Sequence, residues 1–195
     1  MDLKVLLASD NRLTSIPEAI GNLTKLHTLD LGHNRLNDLP ESLGNLCRLS
    51  RYLYIHDNRL THLRESLFER MTQLRYLNVS INRLTRLPES LGKLAGLEEF
   101  HADHNPFVGL PDSFHRLATL QELHLRGTGL NEVPDQLRPL KNLRLLDLRG
   151  NDIRKLPEWL MELPKLWKLD LRWNRHLAAP RWLKAMEKRG WRVLL

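Results

Sequence analysis

Asparagine recurs along this chain of 195 residues at an almost constant interval. The successive gaps are 23, 24, 24, 23, 46 and 23 residues, and Thr128 divides the gap of 46 in two. The asparagines are Asn11, Asn34, Asn58, Asn82, Asn105, Asn151 and Asn174. A period of this length indicates a solenoid of about eight stacked units, because one such unit cannot bury an apolar face alone.

Leucines keep the same register in each unit. The second unit reads Leu26-x-x-Leu29-x-Leu31-x-x-Asn34-x-Leu36-x-x-Leu39-Pro40. This pattern resembles the leucine-rich repeat, and its Leu-Pro step and 23-residue length resemble the intracellular and bacterial types, including the Ras-binding group and its plant relatives. The resemblance implies an α/β fold, a curved solenoid with short parallel strands on the concave face and helical or 3₁₀ return segments on the convex face.

Elementary patterning favours the same architecture. Leu29 and Leu31 alternate with Asp30 and Gly32, which predicts a strand. Its leucines would point inward and their neighbours outward. The later leucines are spaced by three, which suits a helical or 3₁₀ segment. Proline is tolerated in a first helical turn, and we expect it at the start of the return segment; it recurs at Pro40, Pro88, Pro111, Pro134, Pro157 and Pro180.

The asparagine side chains are predicted to form a ladder. Each would pair backbone groups where the chain leaves the strand, because a side-chain amide both donates and accepts. Thr128 can fill this role only in part, and Gly127 and Gly129 beside it suggest an altered turn. Extra residues near Arg51 and in the segment 68–70 predict local distortion, with a recognition feature as the less favoured alternative.

We expect one domain over residues 1–195, with residues 181–195 as a C-terminal cap formed by a helix over 182–190 and a last strand over 191–195. The first strand begins almost at once. Two explanations stay open, a chain trimmed from a longer protein or an N-terminal end covered by another domain or chain.

Charge is unevenly distributed along the chain. Residues 1–153 hold 19 basic and 19 acidic residues, whereas residues 154–195 hold 11 and 4 and account for the whole net charge of +7. All five tryptophans lie in this second part: Trp159, Trp167, Trp173, Trp182 and Trp191. We favour a capping unit with apolar lids over a docking end for an acidic partner.

The compartment is predicted to be cytoplasmic, with secretion into a host cell as an effector as the alternative. Cys47 is the only cysteine, so no intrachain disulfide can form. The first residues do not resemble a signal peptide, and no run of apolar residues is long enough to span a membrane. We expect a monomer.

Alternation places three rows of side chains on the outward face of the strands. Tyr52, Tyr54, His56 and Tyr76 would form an aromatic centre, and tyrosine is enriched at interface hot spots. Arginines and aspartates beyond it would form either a structural ion-pair lattice or part of the binding surface. The predicted partner-binding residues are Tyr52, Tyr54, His56, Tyr76, Asn78, His101, Asp103, His124, Arg126, Asp147, Arg149, Asp170, Arg172 and Trp173.

Catalytic and metal chemistry are not predicted. His101, Asp103, His104 and His124 raise the question of a metal, but they lack a Cys or Glu constellation with recognised ligand spacing. No phosphate loop or nucleophile elbow occurs, and the neutral first 153 residues do not favour nucleic acid. We therefore predict no cofactor and a scaffold that binds a folded protein partner on its concave face. The alternative is the recognition module of a larger signalling enzyme or bacterial effector, such as a kinase, GTPase or ubiquitin ligase.

Overall fold

The computed structural model describes residues 2–195 and shows a single sheet of nine parallel strands in chain order. Each strand has three residues. The strands are β1 (Val5–Leu7), β2 (Thr28–Asp30), β3 (Tyr52–Tyr54), β4 (Tyr76–Asn78), β5 (Glu99–His101), β6 (Glu122–His124), β7 (Leu145–Asp147), β8 (Lys168–Asp170) and β9 (Arg192–Leu194). The predicted solenoid is confirmed.

The return path is 3₁₀-helical in seven of the units. These segments are Glu18–Asn22, Glu41–Asn45, Glu65–Phe68, Glu89–Lys93, Asp112–Arg116, Asp135–Leu137 and Glu158–Glu162. Five of the six predicted prolines lie one residue before these segments in extended conformation, with φ −65° and ψ 146° at Pro40, rather than inside the first turn. The sixth, Pro180, lies two residues before the C-terminal helix. Arg64 replaces the proline in the third unit and adopts the same conformation, φ −68° and ψ 148°.

Leucine side chains fill the space between the strands and the return segments. The strand leucines predicted to point inward are buried; Leu29 and Leu53 have no exposed surface. Full burial of one such side chain contributes about 1.5–3 kcal/mol. The inserted segment near Phe68 leaves strand register intact, and Phe68 itself is fully buried in the core, so the insertion adds local packing.

The asparagine ladder is present as predicted. Asn82 donates from Nδ2 to the carbonyl oxygens of Ile55 and Val79, each at 3.0 Å, and its Oδ1 accepts the N–H of Leu60 at 3.0 Å. Ile55 and Leu60 belong to the preceding unit, so Asn82 links two units. The other ladder asparagines do the same, except Asn11 in the first unit, which bonds only Ala8 and Ser9 of its own unit.

Thr128 completes the ladder only in part, as expected. Its hydroxyl lies 3.0 Å from the carbonyl of Leu125 in its own unit and 3.1 Å from Oδ1 of Asn151. The N–H of Phe107 instead bonds the carbonyl of Asn105 at 2.9 Å. The altered turn predicted from the two glycines is present at Gly129, whose φ of +82° is positive, unlike that of the equivalent residue in the other units. Gly127 does not contribute to it, because its φ of +60° matches that of His104, +53°, one unit earlier.

The C-terminal residues form helix α1 (Trp182–Lys188) and then β9, in agreement with the predicted elements. Trp182, Trp191 and Val193 pack against the core. The expectation that all five tryptophans serve as lids is wrong, because Trp167 and Trp173 are 48% and 57% exposed. In the described residues, no helix has the length and apolar character needed to cross a membrane.

Candidate functional site

The concave face consists of the outward-pointing strand residues and those that follow them. Parallel pairing aligns these residues in columns: Asp30, Tyr54, Asn78, His101, His124, Asp147 and Asp170 stand side by side. The second column contains Thr28, Tyr52, Tyr76, Glu99, Glu122, Leu145 and Lys168. Both columns match the prediction from alternation.

Tyr52, Tyr54, His56 and Tyr76 form a contiguous aromatic cluster on this face. The ring centroids of Tyr54 and Tyr76 lie 4.9 Å apart, and those of Tyr52 and Tyr76 lie 5.6 Å apart. Tyr54 contacts His56 edge-on at 5.9 Å. Tyr52 is 43% exposed, so the cluster presents ring surface to solvent.

The hydroxyls of Tyr54 and Tyr76 remain protonated at neutral pH. Burial, followed by the neighbouring tyrosine and then by nearby carboxylates, raises the pKa of both Tyr54 and Tyr76 above the usual value. A protonated phenol both donates and accepts hydrogen bonds. Asn78 lies beside Tyr76, with its Nδ2 at 3.5 Å from the Tyr76 hydroxyl, and its Oδ1 accepts the N–H of Ser80 at 3.0 Å.

His33 joins the cluster, although alternation did not identify it. Its Nε2 lies 3.3 Å from Nε2 of His56, and its Nδ1 lies 2.6 Å from Oδ2 of Asp57. Burial and then the neighbouring His33 lower the pKa of His56. His33 immediately precedes a ladder asparagine, Asn34, and is therefore beyond the strand positions that the alternation rule covers.

His101 and His124 continue the aromatic surface onto β5 and β6. Their rings stack at 4.0 Å with an interplanar angle of 8°, and the His101 ring lies 5.1 Å from that of Tyr76. Nε2 of His101 is 2.7 Å from Oε1 of Glu99. Asp103 accepts the backbone N–H of Arg126 at 2.7 Å, which connects this part of the face to the next unit.

The two histidines differ electrostatically. Burial and the neighbouring His124 lower the pKa of His101. Burial also opposes the charged form of His124, but Asp147 and Asp103 outweigh it and raise the pKa of that histidine. Nδ1 of His124 lies 3.9 Å from Oδ2 of Asp147, which is an electrostatic contact beyond hydrogen-bond length.

Asp147 and Asp170 are buried beneath arginines. Arg149 donates from Nε to Asp147 Oδ2 at 2.8 Å, and Arg172 donates from Nε to Asp170 Oδ1 at 2.9 Å. Each aspartate is only 3% exposed. Burial would raise the pKa of Asp147, but His124 and Arg149 hold it well below its usual range. These carboxylates position the arginines and present almost no surface of their own.

Three guanidinium groups lie against the ring of Trp173 at the C-terminal end of the concave face. Its ring centroid lies 5.0, 5.9 and 5.7 Å from Cζ of Arg126, Arg149 and Arg172. Cations within about 6 Å of an indole ring are attracted by its quadrupole. All fourteen predicted residues therefore lie on one face, aromatic toward the N-terminal half and arginine-rich toward the C-terminal half.

Similarity to known proteins agrees with this geometry. A family model described as leucine rich repeat matches residues 48–107 and 118–175, and one described as leucine rich repeats (2 copies) matches residues 2–50. The chain belongs to the leucine-rich repeat family. No curated protein matches it at a significant level.

Solved leucine-rich repeat structures resemble the chain over most of its length. A leucine-rich repeat protein of Leptospira interrogans is 31% identical with a TM-score of 0.90, and the match covers 99% of this chain and 49% of that one. The leucine-rich repeat domain of the type III effector XopL is 26% identical with a TM-score of 0.82, covering 100% of this chain and 69% of that one. This chain thus spans about half of the Leptospira protein.

A Drosophila structure, the Toll–Spätzle complex, is also similar. It is 26% identical with a TM-score of 0.77, and the match covers 88% of this chain and 25% of that one. Leucine-rich repeats therefore occur there within a much longer polypeptide.

Proposed function

We propose that this leucine-rich repeat chain is a non-catalytic interaction module that binds a folded protein partner on its concave face. The observation that carries the proposal is the continuous aromatic surface from Tyr52 to His124, with successive ring centroids between 4.0 and 5.8 Å apart. A contiguous aromatic surface on the solvent-facing side of a sheet indicates an interaction site.

The tyrosines suit such an interface chemically. Each combines a large apolar ring with a polar hydroxyl, and tyrosine has few rotatable bonds to immobilise on binding. Within residues 2–195, the hydroxyls of Tyr52 and Tyr54 form no hydrogen bond. A partner can bury these rings and at the same time form hydrogen bonds to their hydroxyls, as is common at interface hot spots.

The arginine-rich half supplies the complementary polar contacts. The guanidinium groups of Arg149 and Arg172 donate to buried aspartates. Arg126 bonds Asp103 through its backbone N–H, which leaves its guanidinium out of that contact. Arg126 therefore has the guanidinium best placed to pair a carboxylate of the partner, and Trp173 beneath it adds apolar area. A positive patch beside an aromatic one steers association and fixes orientation more than it adds affinity.

The comparison with Toll supports a protein as the partner, since that structure is a complex with Spätzle. The lone Cys47 is exposed and free, which supports a reducing compartment. We accordingly propose a cytoplasmic location, with delivery into a host cell as the alternative.

An affinity-capture experiment tests this function. The wild-type chain, a Tyr54→Ala/Tyr76→Ala variant and a return-face variant, Arg70→Ala, are used as bait in lysate of the cells that make the chain. We expect one protein to be captured by wild type and by Arg70→Ala and lost with the tyrosine variant. Equal capture by all three baits would show that the concave face is not the binding surface.

A second candidate is the recognition module of a larger signalling enzyme or effector. It is favoured by the neighbours, because XopL is a type III effector and its leucine-rich repeats are described as one domain of it. An immunoblot of the native cells decides between the two. A band well above 22.9 kDa supports the module, and a band at that mass supports the free-standing scaffold.

A further inference from the structure

We propose that Glu99, His101 and His124 form a binding site for a divalent transition metal ion of the zinc class, with Glu122 as the fourth ligand. Strand pairing places Glu99 opposite Glu122 and His101 opposite His124. The ligand atoms of Glu99, His101 and His124 all lie within 4.8 Å of one another. The site shares His101 and His124 with the aromatic surface proposed above. Zinc binding is tested on the chain alone, so its outcome does not depend on a protein partner.

The spacing of these atoms suits tetrahedral coordination. Zinc binds imidazole nitrogen and carboxylate oxygen at about 2.0–2.2 Å, so adjacent ligand atoms on a tetrahedron are about 3.3 Å apart. Oε1 of Glu99 and Nε2 of His101 are already 2.7 Å apart. Oε2 of Glu122 lies 3.7 Å from Nε2 of His124. The His101 and His124 rings must tilt out of their parallel stack for both nitrogens to reach one ion, and Glu122 must turn toward it.

His124 supplies an independent observation. Its Nε2 is buried and has no hydrogen-bond partner in the described part of the chain. A buried polar atom without a partner loses its hydration without compensation, so such atoms in native proteins call for an explanation. A metal ion bound to Nε2 would provide the missing partner.

The surroundings of His124 favour the tautomer that ligation needs. Nδ1 faces the carboxylate of Asp147, which Arg149 holds in place. A proton on Nδ1 leaves the lone pair of Nε2 free, on the side of the ring where Glu122 lies. Metal-binding histidines commonly present their other ring nitrogen to a carboxylate in this way, which fixes the ring and raises ligand basicity.

The ligand types decide which ion fits. Two imidazoles and two carboxylates suit zinc and its first-row neighbours, whereas calcium takes six to eight oxygens and magnesium prefers oxygen with several waters. The sequence argument missed this site because it examined His101, Asp103, His104 and His124 without Glu99. Asp103 is occupied by Arg126, and the His104 ring lies against Gly127.

A second histidine pair in the chain provides a matched control. His33 and His56 also approach through their Nε2 atoms, at 3.3 Å, and His33 also faces a carboxylate, that of Asp57. Among the described residues this pair belongs to no group of three ligands that meet at one point. It should bind zinc more weakly than a site with three or four protein ligands.

The experiment is a calorimetric titration of the chelator-treated chain, residues 1–195, with zinc chloride, repeated with cobalt chloride and visible absorption. We expect one equivalent of zinc per chain and the intense visible bands of tetrahedral cobalt. Glu99→Gln and His101→Gln should each weaken zinc binding at least about tenfold, whereas His33→Asn should bind as wild type does. Magnesium chloride at the same concentrations should give no saturable heat.

Thermal unfolding without metal shows whether each variant is folded, and Glu99→Gln keeps the size of the side chain. In wild type, zinc should raise the unfolding temperature, because a ligand of the folded state stabilises it by mass action. The shift should be lost in Glu99→Gln. The proposal is overturned if wild type binds no zinc, or if zinc binding survives in both site variants or disappears in His33→Asn.

Discussion

At the scale of single residues, the positions before the seven ladder asparagines and before Thr128 have a left-handed backbone conformation that is unfavourable for most residues. All eight of these residues have positive φ: Asp10, His33, Asp57, Ile81, His104, Gly127, Gly150 and Trp173. Glycine, asparagine and aspartate adopt this conformation readily, whereas a β-branched or bulky residue there is an outlier. Ile81, at φ +54°, and Trp173, at φ +63°, are such outliers, and both are largely exposed. Strain of this kind tends to persist where a side chain has a function.

Replacing Ile81 by asparagine should therefore stabilise the chain. The side chain is 48% exposed, so little packing is lost, and relief of the left-handed strain should add about 1 kcal/mol to the free energy of unfolding. Urea denaturation measures the gain. Val108→Asn is the control, because Val108 is 82% exposed but is not among the residues with positive φ. A lower urea midpoint for Ile81→Asn would show that its packing outweighs the strain.

Replacing the ladder asparagine Asn82, in contrast, should lower the stability of the chain. Asn82→Ala leaves the carbonyl of Ile55 and the N–H of Leu60 without side-chain partners inside the solenoid. We expect a loss of about 1–3 kcal/mol in the free energy of unfolding. Asn37→Ala, at an exposed position outside the ladder, should be nearly neutral. An unchanged thermal or urea midpoint for Asn82→Ala would mean that these groups find other partners.

At the scale of the repeat, period and alternation predict the backbone and the columns of outward residues. They do so because register in stacked strands follows directly from inward-facing leucines such as Leu53 and Leu77. They cannot predict how outward side chains pair across strands. The contact of His33 with His56, the burial of Asp147 beneath Arg149 and the unpaired Nε2 of His124 depend on side-chain rotamers and on neighbours a full repeat away.

The aromatic cluster should contribute a large part of the binding free energy for a partner. Tyr54→Ala combined with Tyr76→Ala should weaken binding of the captured partner by about 2 kcal/mol or more, roughly 30-fold in Kd. The melting temperature should barely change, because both side chains lie on the outward face of the sheet. The phenylalanine pair, Tyr54→Phe and Tyr76→Phe, separates ring contact from hydrogen bonding. Unchanged affinity in the alanine variant would remove the tyrosines from the interface.

At the scale of the whole molecule, each unit contacts only its neighbours, so the last unit determines how the array ends. Helix α1 places Leu183 and Met186 in buried positions, and β9 pairs with β8. Lys184, Lys188 and Arg192 point their charges into solvent on the same segment. The apolar and the basic features of residues 181–195 are thus carried by different side chains and can be altered separately.

Deleting residues 181–195 should therefore cause aggregation or a large drop in melting temperature, because it exposes the apolar side of the last full repeat and removes the strand paired with β8. Reversing the charges with Lys184→Glu, Lys188→Glu and Arg192→Glu alters the basic field and spares Leu183 and Met186, so stability should stay close to that of wild type. Light scattering and thermal unfolding measure the first effect, and affinity for the captured partner measures the second. A stable truncated chain, together with loss of partner binding on charge reversal, would mean that this end is an interface, because an apolar lid that can be removed without consequence does not hold the array closed.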